Sequence, residues 1–325
     1  MKLPRRNFLH LAAGAAALPA VSRIAWAQAY PARPVRIIVP AAPSGAFDTM
    51  ARLIGRWLSE RLGQPFVIEN RPGGGTNIAT EAVVRAPADG YTLLIVGTTQ
   101  ATNAALYDKL NFDLIRDIQP IAGVFRGALV IVVHPSVPAK TVPDFIAYAK
   151  ANPRKINMAS SGIGSSPHVA GELFKMMAGI DMVHVPYRGG GPAVTDLIAG
   201  QVQVYFASTP ASIEYIKAGR LRALAVTTAA RSETLPDIPT VAEFVPGYEA
   251  SYWVGIGAPK ATPAEIVEKL NKEINAGLAE PKMKKRLADL GGDVLALSPG
   301  DFGKFIADDT DKWAKVVRAA NIKPE

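Results

Sequence analysis

Two short stretches rich in serine and glycine carry the chemistry that can be read from this sequence. Ser44-Gly45 lies within Ala41-Ala42-Pro43-Ser44-Gly45-Ala46, and Ser160-Ser161-Gly162-Ile163-Gly164-Ser165-Ser166 lies in the second third of the chain. Each follows a short run that reads as a strand, β-branched in the first case, and precedes a segment with helical spacing. That places each at the carboxyl end of a strand, where a helix begins. Helix N-termini present unpaired N–H groups and about half a positive charge, so such loops hold a carboxylate without any charged side chain. Glycine lets the backbone come close to a ligand, and serine hydroxyls add donors. One such loop alone would read as a tight turn with a helix cap; the matched pair, facing across a cleft, is expected to bind.

Other chemistries find less support. Gly73–Gly75 and Gly189–Gly191 suggest phosphate loops, but neither fits the P-loop or dinucleotide pattern. Both are expected to be strand-to-helix turns, with Arg71 and Arg188 beside them in exposed or structural roles. No nucleophile elbow, H-E-x-x-H or clustered metal spacing occurs. His134 and His184 fall at or within strands and read as structural. His168, in the first turn after the second loop, could equally touch a ligand or pack. Asp48 holds the matching place after the first loop, where capping its own helix is the default. Trp253 could wall a cleft or fill a core.

The elements that must position these loops repeat. Val35-Arg36-Ile37-Ile38-Val39 reads as a buried strand, followed by the first loop and a helix from Asp48 that stops at Gly63. Phe66 to Asn70, a helix carrying Ile78, Ala82 and Val83, and Tyr91 to Val96 complete a β-α-β-α-β series. The series recurs as Ile156 to Ala159, a helix with Pro167 at its first position that stops at Gly179, Met182 to Tyr187, a helix through Val194, and Val202 to Phe206. Two such units predict an α/β protein of two lobes, each with its own mostly parallel sheet. Ile121 to Val124 and Leu129 to Val133 are expected as strands on either side of the crossover. The chain then returns, with lobe one spanning 28–125 plus 230–325 and lobe two 126–229. Thr262-Pro263-Ala264-Glu265 and Ser298-Pro299-Gly300-Asp301 read as helix starts with side-chain caps. One large doubly wound sheet is the alternative architecture.

The first residues address the compartment. Arg5-Arg6-Asn7-Phe8-Leu9, a short apolar run and Ala25-Trp26-Ala27 predict a twin-arginine type signal peptide over residues 1–27, cleaved after Ala27. The apolar run is too short for a membrane span, so no membrane insertion of the mature chain is expected. Four of the 36 Lys and Arg residues leave with that segment and no acid does, so the formal charge falls from +8 to +4. That balance, without basic blocks, argues against a nucleic-acid partner. Cysteine is absent, which excludes thiolate nucleophiles and thiolate metal sites. No cofactor is expected.

Several longer motifs resemble one family. Val39-Pro40 with the loop to Asp48 and Arg52, Glu69-Asn70-Arg71-Pro72-Gly73-Gly74 and Ala88-Asp89-Gly90-Tyr91-Thr92 belong to the match. So do Ser161-Gly162-Ile163-Gly164-Ser165-Ser166-Pro167-His168, Val185-Pro186-Tyr187-Arg188-Gly189, Pro236-Asp237-Ile238-Pro239-Thr240 and Trp253-Val254-Gly255. Across the mature chain they resemble the periplasmic substrate-binding receptors of tripartite tricarboxylate transporters, the Bug family. The resemblance implies a type II periplasmic-binding-protein (Venus flytrap) fold and a periplasmic, non-enzymatic receptor. It implies a small organic carboxylate as ligand and membrane transporter subunits as partners. The ligand positions implied are Ser44, Gly45, Asp48, Thr98, Gln100 and Asn103 in lobe one. In lobe two they are Ser161, Gly162, Gly164, Ser165, His168, Ser208 and Thr209. Ala41 stands where the family has an aromatic residue and Ser44 where it has glycine, so the family's ligands do not transfer directly. A monomer is the simpler expectation for a receptor that opens and closes. Signalling to a membrane sensor, and a periplasmic enzyme built on the same scaffold, are the competing readings.

Overall fold

The computed structural model describes residues 30–43, 45–107 and 109–324; the expected signal peptide and Ser44 lie outside the described residues. β1 (Val35–Val39) is fully apolar on its buried positions and pairs in parallel with its neighbours on both sides. The first loop leads into α1 (Ala46–Leu62), which buries Met50, Ala51, Ile54 and Leu58 and ends on Gly63 at φ 70°, a left-handed stop suited to glycine. β2 (Phe66–Asn70), a short 3-10 turn at Gly74–Thr76, α2 (Asn77–Val84), β3 (Thr92–Gly97) and α3 (Thr98–Leu106) complete the first series. α4 (Leu114–Asp117) then leads into β4 (Ile118–Val133), and α5 (Val142–Ala151) follows.

The second series is built in the same way. It comprises β5 (Asn157–Ser160), α6 (Ser166–Ala178), β6 (Val183–Pro186), α7 (Gly190–Ile198), β7 (Val204–Ser208) and α8 (Thr209–Lys217). β8 (Arg222–Val226), β9 (Ser251–Pro259), α9 (Ala264–Ala279), α10 (Pro281–Asp289), β10 (Gly292–Val294) and α11 (Pro299–Ala319) finish the chain. Sheet order shows the repeat directly. One half runs β2-β1-β3-β9-β4 and the other β6-β5-β7-β4 with β8 on the far side of β4. In each half the first three strands are parallel, and the strand beside the third is antiparallel to it.

The two halves share β4. The expected pair of strands is a single strand of 16 residues, pairing with β9 as far as Ala128 and with β7 from Leu129 onward. Register shifts at Pro120/Ala122 and Gly123/Phe125 bend its first half. The chain therefore folds into two lobes joined by a shared strand, with ladder continuity across the join. Thr227 ties the return crossing to it. Its hydroxyl donates to the Ala250 carbonyl, lies 3.1 Å from the Leu129 carbonyl and accepts from Leu129 N–H at 3.0 Å, while Ala250 N–H donates to the Thr227 carbonyl at 2.9 Å.

Three helix starts among the described residues carry side-chain caps. Asp113, Thr141 and Ser298 cap α4, α5 and α11 through their side chains, as turn-forming residues do. The side-chain cap expected at Thr262 does not form. Its hydroxyl donates instead to the Pro259 carbonyl, and Pro263 takes the cap position without a side-chain bond. Trp253 is a core residue, fully buried against Phe302 and Phe305, with its indole N–H on Asp309 at 2.7 Å.

Candidate functional site

A cavity of about 990 Å³ lies between the lobes, at the carboxyl ends of β1, β2, β5, β6 and β7. α1, α6, α7 and α8 all begin on it. Their cap residues Gly45, Ser165, Gly189 and Ser208 line the wall, and none of these four starts carries a side-chain cap. First-turn N–H groups are thus left for whatever enters the cavity, in contrast to the capped starts of α4, α5 and α11. Four helix dipoles from two lobes point their positive ends at one volume.

Of the residues expected at the site, Gly45, Ser161, Gly162, Ser165 and Ser208 line the cavity. Gly162, at φ 127°, adopts a backbone that L side chains rarely reach, and its carbonyl accepts from the Ser165 hydroxyl at 2.6 Å. Ser161 meets the buried Tyr205 hydroxyl, whose pKa burial pushes up to about 12, so the phenol stays a donor. The other expected residues sit behind the wall. Asp48 is buried, holding Arg52 at 2.8 Å and the Asn70 amide at 3.0 Å. Thr98 accepts from Trp253 N–H at 3.1 Å, and it is Thr99 that faces the cavity. Gln100 accepts from Gly97 N–H and donates to the Ile95 carbonyl, closing the start of α3. Asn103 donates to Asn77 at 2.8 Å and fixes the Gly74–Thr76 turn. The Thr209 hydroxyl donates to the Ala128 carbonyl. Gly164 turns away from the cavity and packs on Leu106 of α3, a direct contact between the lobes.

His168 shapes the second loop from behind. Its ring stacks on His184 with centroids 3.6 Å apart, and its Nδ1 accepts from Gly164 N–H at 3.1 Å. His184 Nε2 lies 2.6 Å from the Ser160 hydroxyl, which also exchanges bonds with Gly162. Burial first, then His184 and Lys175, lowers His168 to about 3; burial and Lys175 lower His184 to about 4. Both imidazoles are therefore neutral above pH 5 and hold the loop through hydrogen bonds, without offering a charge to a ligand. Nδ1 as acceptor fixes the proton of His168 on Nε2, which faces Glu172 at 3.8 Å.

Several wall residues carry little signal in the sequence. Arg188 is exposed on the rim, makes no ion pair among the described residues, and is the one charged residue among the described residues lining the cavity. Arg71 is instead paired with Glu69 at 2.6 Å. Tyr107, Tyr187, Tyr205 and Tyr252 add an aromatic lining. Strand alternation could have pointed to Tyr205; nothing local in the sequence marks Tyr252. No group of three or more His, Asp or Glu residues suited to a metal occurs among the described residues. No helix among them is long and apolar enough to cross a membrane.

Residues 50–322 match the family described as "Tripartite tricarboxylate transporter family receptor". The chain belongs to this family. Protein BugT of Bordetella pertussis is 38% identical over 300 residues, covering 91% of this chain and 92% of BugT. Among solved structures, R. palustris Rpa4515 with adipate is 39% identical at a TM-score of 0.86, covering 91% of this chain and 100% of that one. MatC from Rhodopseudomonas palustris with bound malate is 31% identical at a TM-score of 0.81, covering 89% of this chain and 100% of MatC. The two-lobed periplasmic-binding-protein fold and the assignment as a solute receptor rather than an enzyme follow from this membership.

Proposed function

We propose that the chain is an extracytoplasmic receptor that closes around a small organic carboxylate and delivers it to the membrane subunits of a tripartite tricarboxylate-type transporter. The observation that carries this reading is the convergence of four helix starts without side-chain caps, two of them the serine-glycine loops, on one inter-lobe cavity. Backbone N–H groups of Gly45, Ser165 and their followers, with the Ser161, Ser165 and Ser208 hydroxyls, supply donors and partial positive charge to one carboxylate. Ser44, Asp48, Thr98, Gln100, Asn103, Gly162, Gly164, His168 and Thr209 complete the site, several of them by fixing the loops that donate. Adipate on Rpa4515 and malate on MatC support an organic acid as the ligand class.

Closure in this reading turns on the join. Lobe one comprises residues 28–125 and 230–325, lobe two 126–229, and they rotate about β4 near Ala128 and about the return at Thr227. Ligand bridging both loops shifts the population toward the closed form, which the transporter recognises. The receptor acts in the periplasm as a monomer, after removal of residues 1–27. A thermal-shift screen of refolded residues 28–325 against aliphatic and aromatic acids tests the assignment. At 100 times its dissociation constant, a ligand stabilises by about 2.7 kcal/mol. A shift restricted to carboxylates supports the reading; a folded protein unmoved by every acid sinks it.

A further inference from the structure

The cavity extends past the two loops toward the join between the lobes, where its floor is made by Phe125, Leu129, Tyr252 and Leu290. Tyr252 of β9 stands opposite Gly127 of β4, and its ring lies over that glycine, where any Cβ would collide with it. The ring is 5.6 Å from that of Phe125, and the residue as a whole is only 6% exposed. Its hydroxyl makes no hydrogen bond to any described residue, and the residue lines the cavity. Tyr187 and Tyr205, on the same wall, have partners in Asp196 and Ser161. A phenol without a partner among the described residues, set in an apolar floor, carries a desolvation cost that a ligand atom can remove. Burial raises the pKa of Tyr252 above its ordinary value, so the group is an O–H donor at every physiological pH.

We propose that Tyr252 is a specificity-determining residue of the receptor, donating a hydrogen bond to an acceptor at the far end of the ligand. This rests on the carboxylate reading above and deepens it. The ligand class is an elongated acid: one carboxylate on the helix starts, an apolar body over Phe125, Leu129 and Leu290, and a second oxygen acceptor at Tyr252. The rim cation Arg188 is exposed, so solvent and salt weaken any pairing there. The enclosed phenol discriminates better, because an acid without the distal acceptor leaves it unpaired.

The test is calorimetric, on refolded chain, with matched acids of the same length: adipate against hexanoate, suberate against octanoate, and terephthalate against benzoate. The wild type is expected to bind at least one diacid about tenfold or more tighter than its matched monoacid. Tyr252→Phe is expected to reduce that preference by about tenfold while leaving monoacid affinity unchanged, a split that a merely structural role would not produce. Arg188→Gln serves as the comparison and is expected to move the preference less than threefold. A preference that survives Tyr252→Phe, or that disappears in Arg188→Gln instead, overturns the assignment while leaving the receptor reading intact. Acids that bind without any diacid preference also overturn it. Failure of every acid to bind folded protein overturns both.

Discussion

Gly164→Ala isolates the contact between the lobes. Gly164 sits at φ 74°, and a methyl group there would stand 2.7 Å from Leu106 Cδ2 and 3.5 Å from Asn103 Oδ1. Two costs follow, and they separate. The left-handed backbone with a side chain costs roughly 1–2 kcal/mol wherever the lobes stand, so it appears in urea denaturation of the free protein. The collision with Leu106 exists only when the second loop meets α3 across the cleft. Displacing that flexible methyl end costs on the order of 1–1.5 kcal/mol, between an off-rotamer shift and an overpacked core. Because that cost falls on the closed form alone, ligand affinity should drop about tenfold. Calorimetric titration reads the affinity, and Leu106→Val in the same background, which shortens the obstructing side chain, should restore it to within about threefold. If Gly164→Ala loses stability but keeps wild-type affinity, the loop does not close on α3 and the reasoning fails.

Three further outcomes follow from particular groups. His168 and His184 have folded pKa values of about 3 and 4, below the ordinary 6.5, so their contribution to stability is complete above pH 6.5 and is lost as pH falls toward 3. Asp309, raised by burial to about 6, acts oppositely: its contribution is complete below 3.8 and is lost as pH rises through 6. Urea denaturation between pH 4 and 6 should therefore show a net stability gain of about 1.4 kcal/mol per unit of rising pH, flattened in His184→Gln; stability that increases on acidification would contradict this. Thr227→Val removes the hydroxyl that bonds both crossings and should cost about 1–3 kcal/mol, with a larger ligand-linked change in small-angle scattering if the join loosens. Ser165→Trp should abolish binding through bulk at the start of α6 with a melting temperature within a few degrees of wild type, because Ser165 lines the cavity and no core residue depends on its side chain. Unchanged affinity would remove that loop from the site.

The loops and the repeat were legible because both rest on local signals. β-branched runs, small-residue turns and glycine stops at Gly63 and Gly179 each act over a few residues, and the structure keeps them. The crossover was less legible: Ile121 to Val124 and Leu129 to Val133 have a polar and glycine-containing interval, Phe125 to Ala128, that reads as a break. Pairing with β9 on one side and β10 on the other carries the strand through that interval. Thr262 looked like a cap, but the turn from Pro259 takes its hydroxyl. At the site, the sequence identifies the residues of each loop without showing which way each side chain turns. One residue of register separates Thr99 on the wall from Thr98 behind it, and burial behind the wall is what directs His168 and Asp48 to neighbours of their own. Tyr252 is a residue of β9, and only the opposition of Gly127 lays its ring on the cavity floor.

The central claim is that the helix starts hold a carboxylate by its negative charge and its acceptor oxygens. The direct measurement is a calorimetric titration of refolded residues 28–325 with the acid that gives the largest thermal shift, beside its fully methyl-esterified form. One site per chain is expected for the acid, with at least about 100-fold weaker binding of the ester, since charge-assisted bonds are each worth about 1.5–3 kcal/mol. Equal affinity for acid and ester would contradict it.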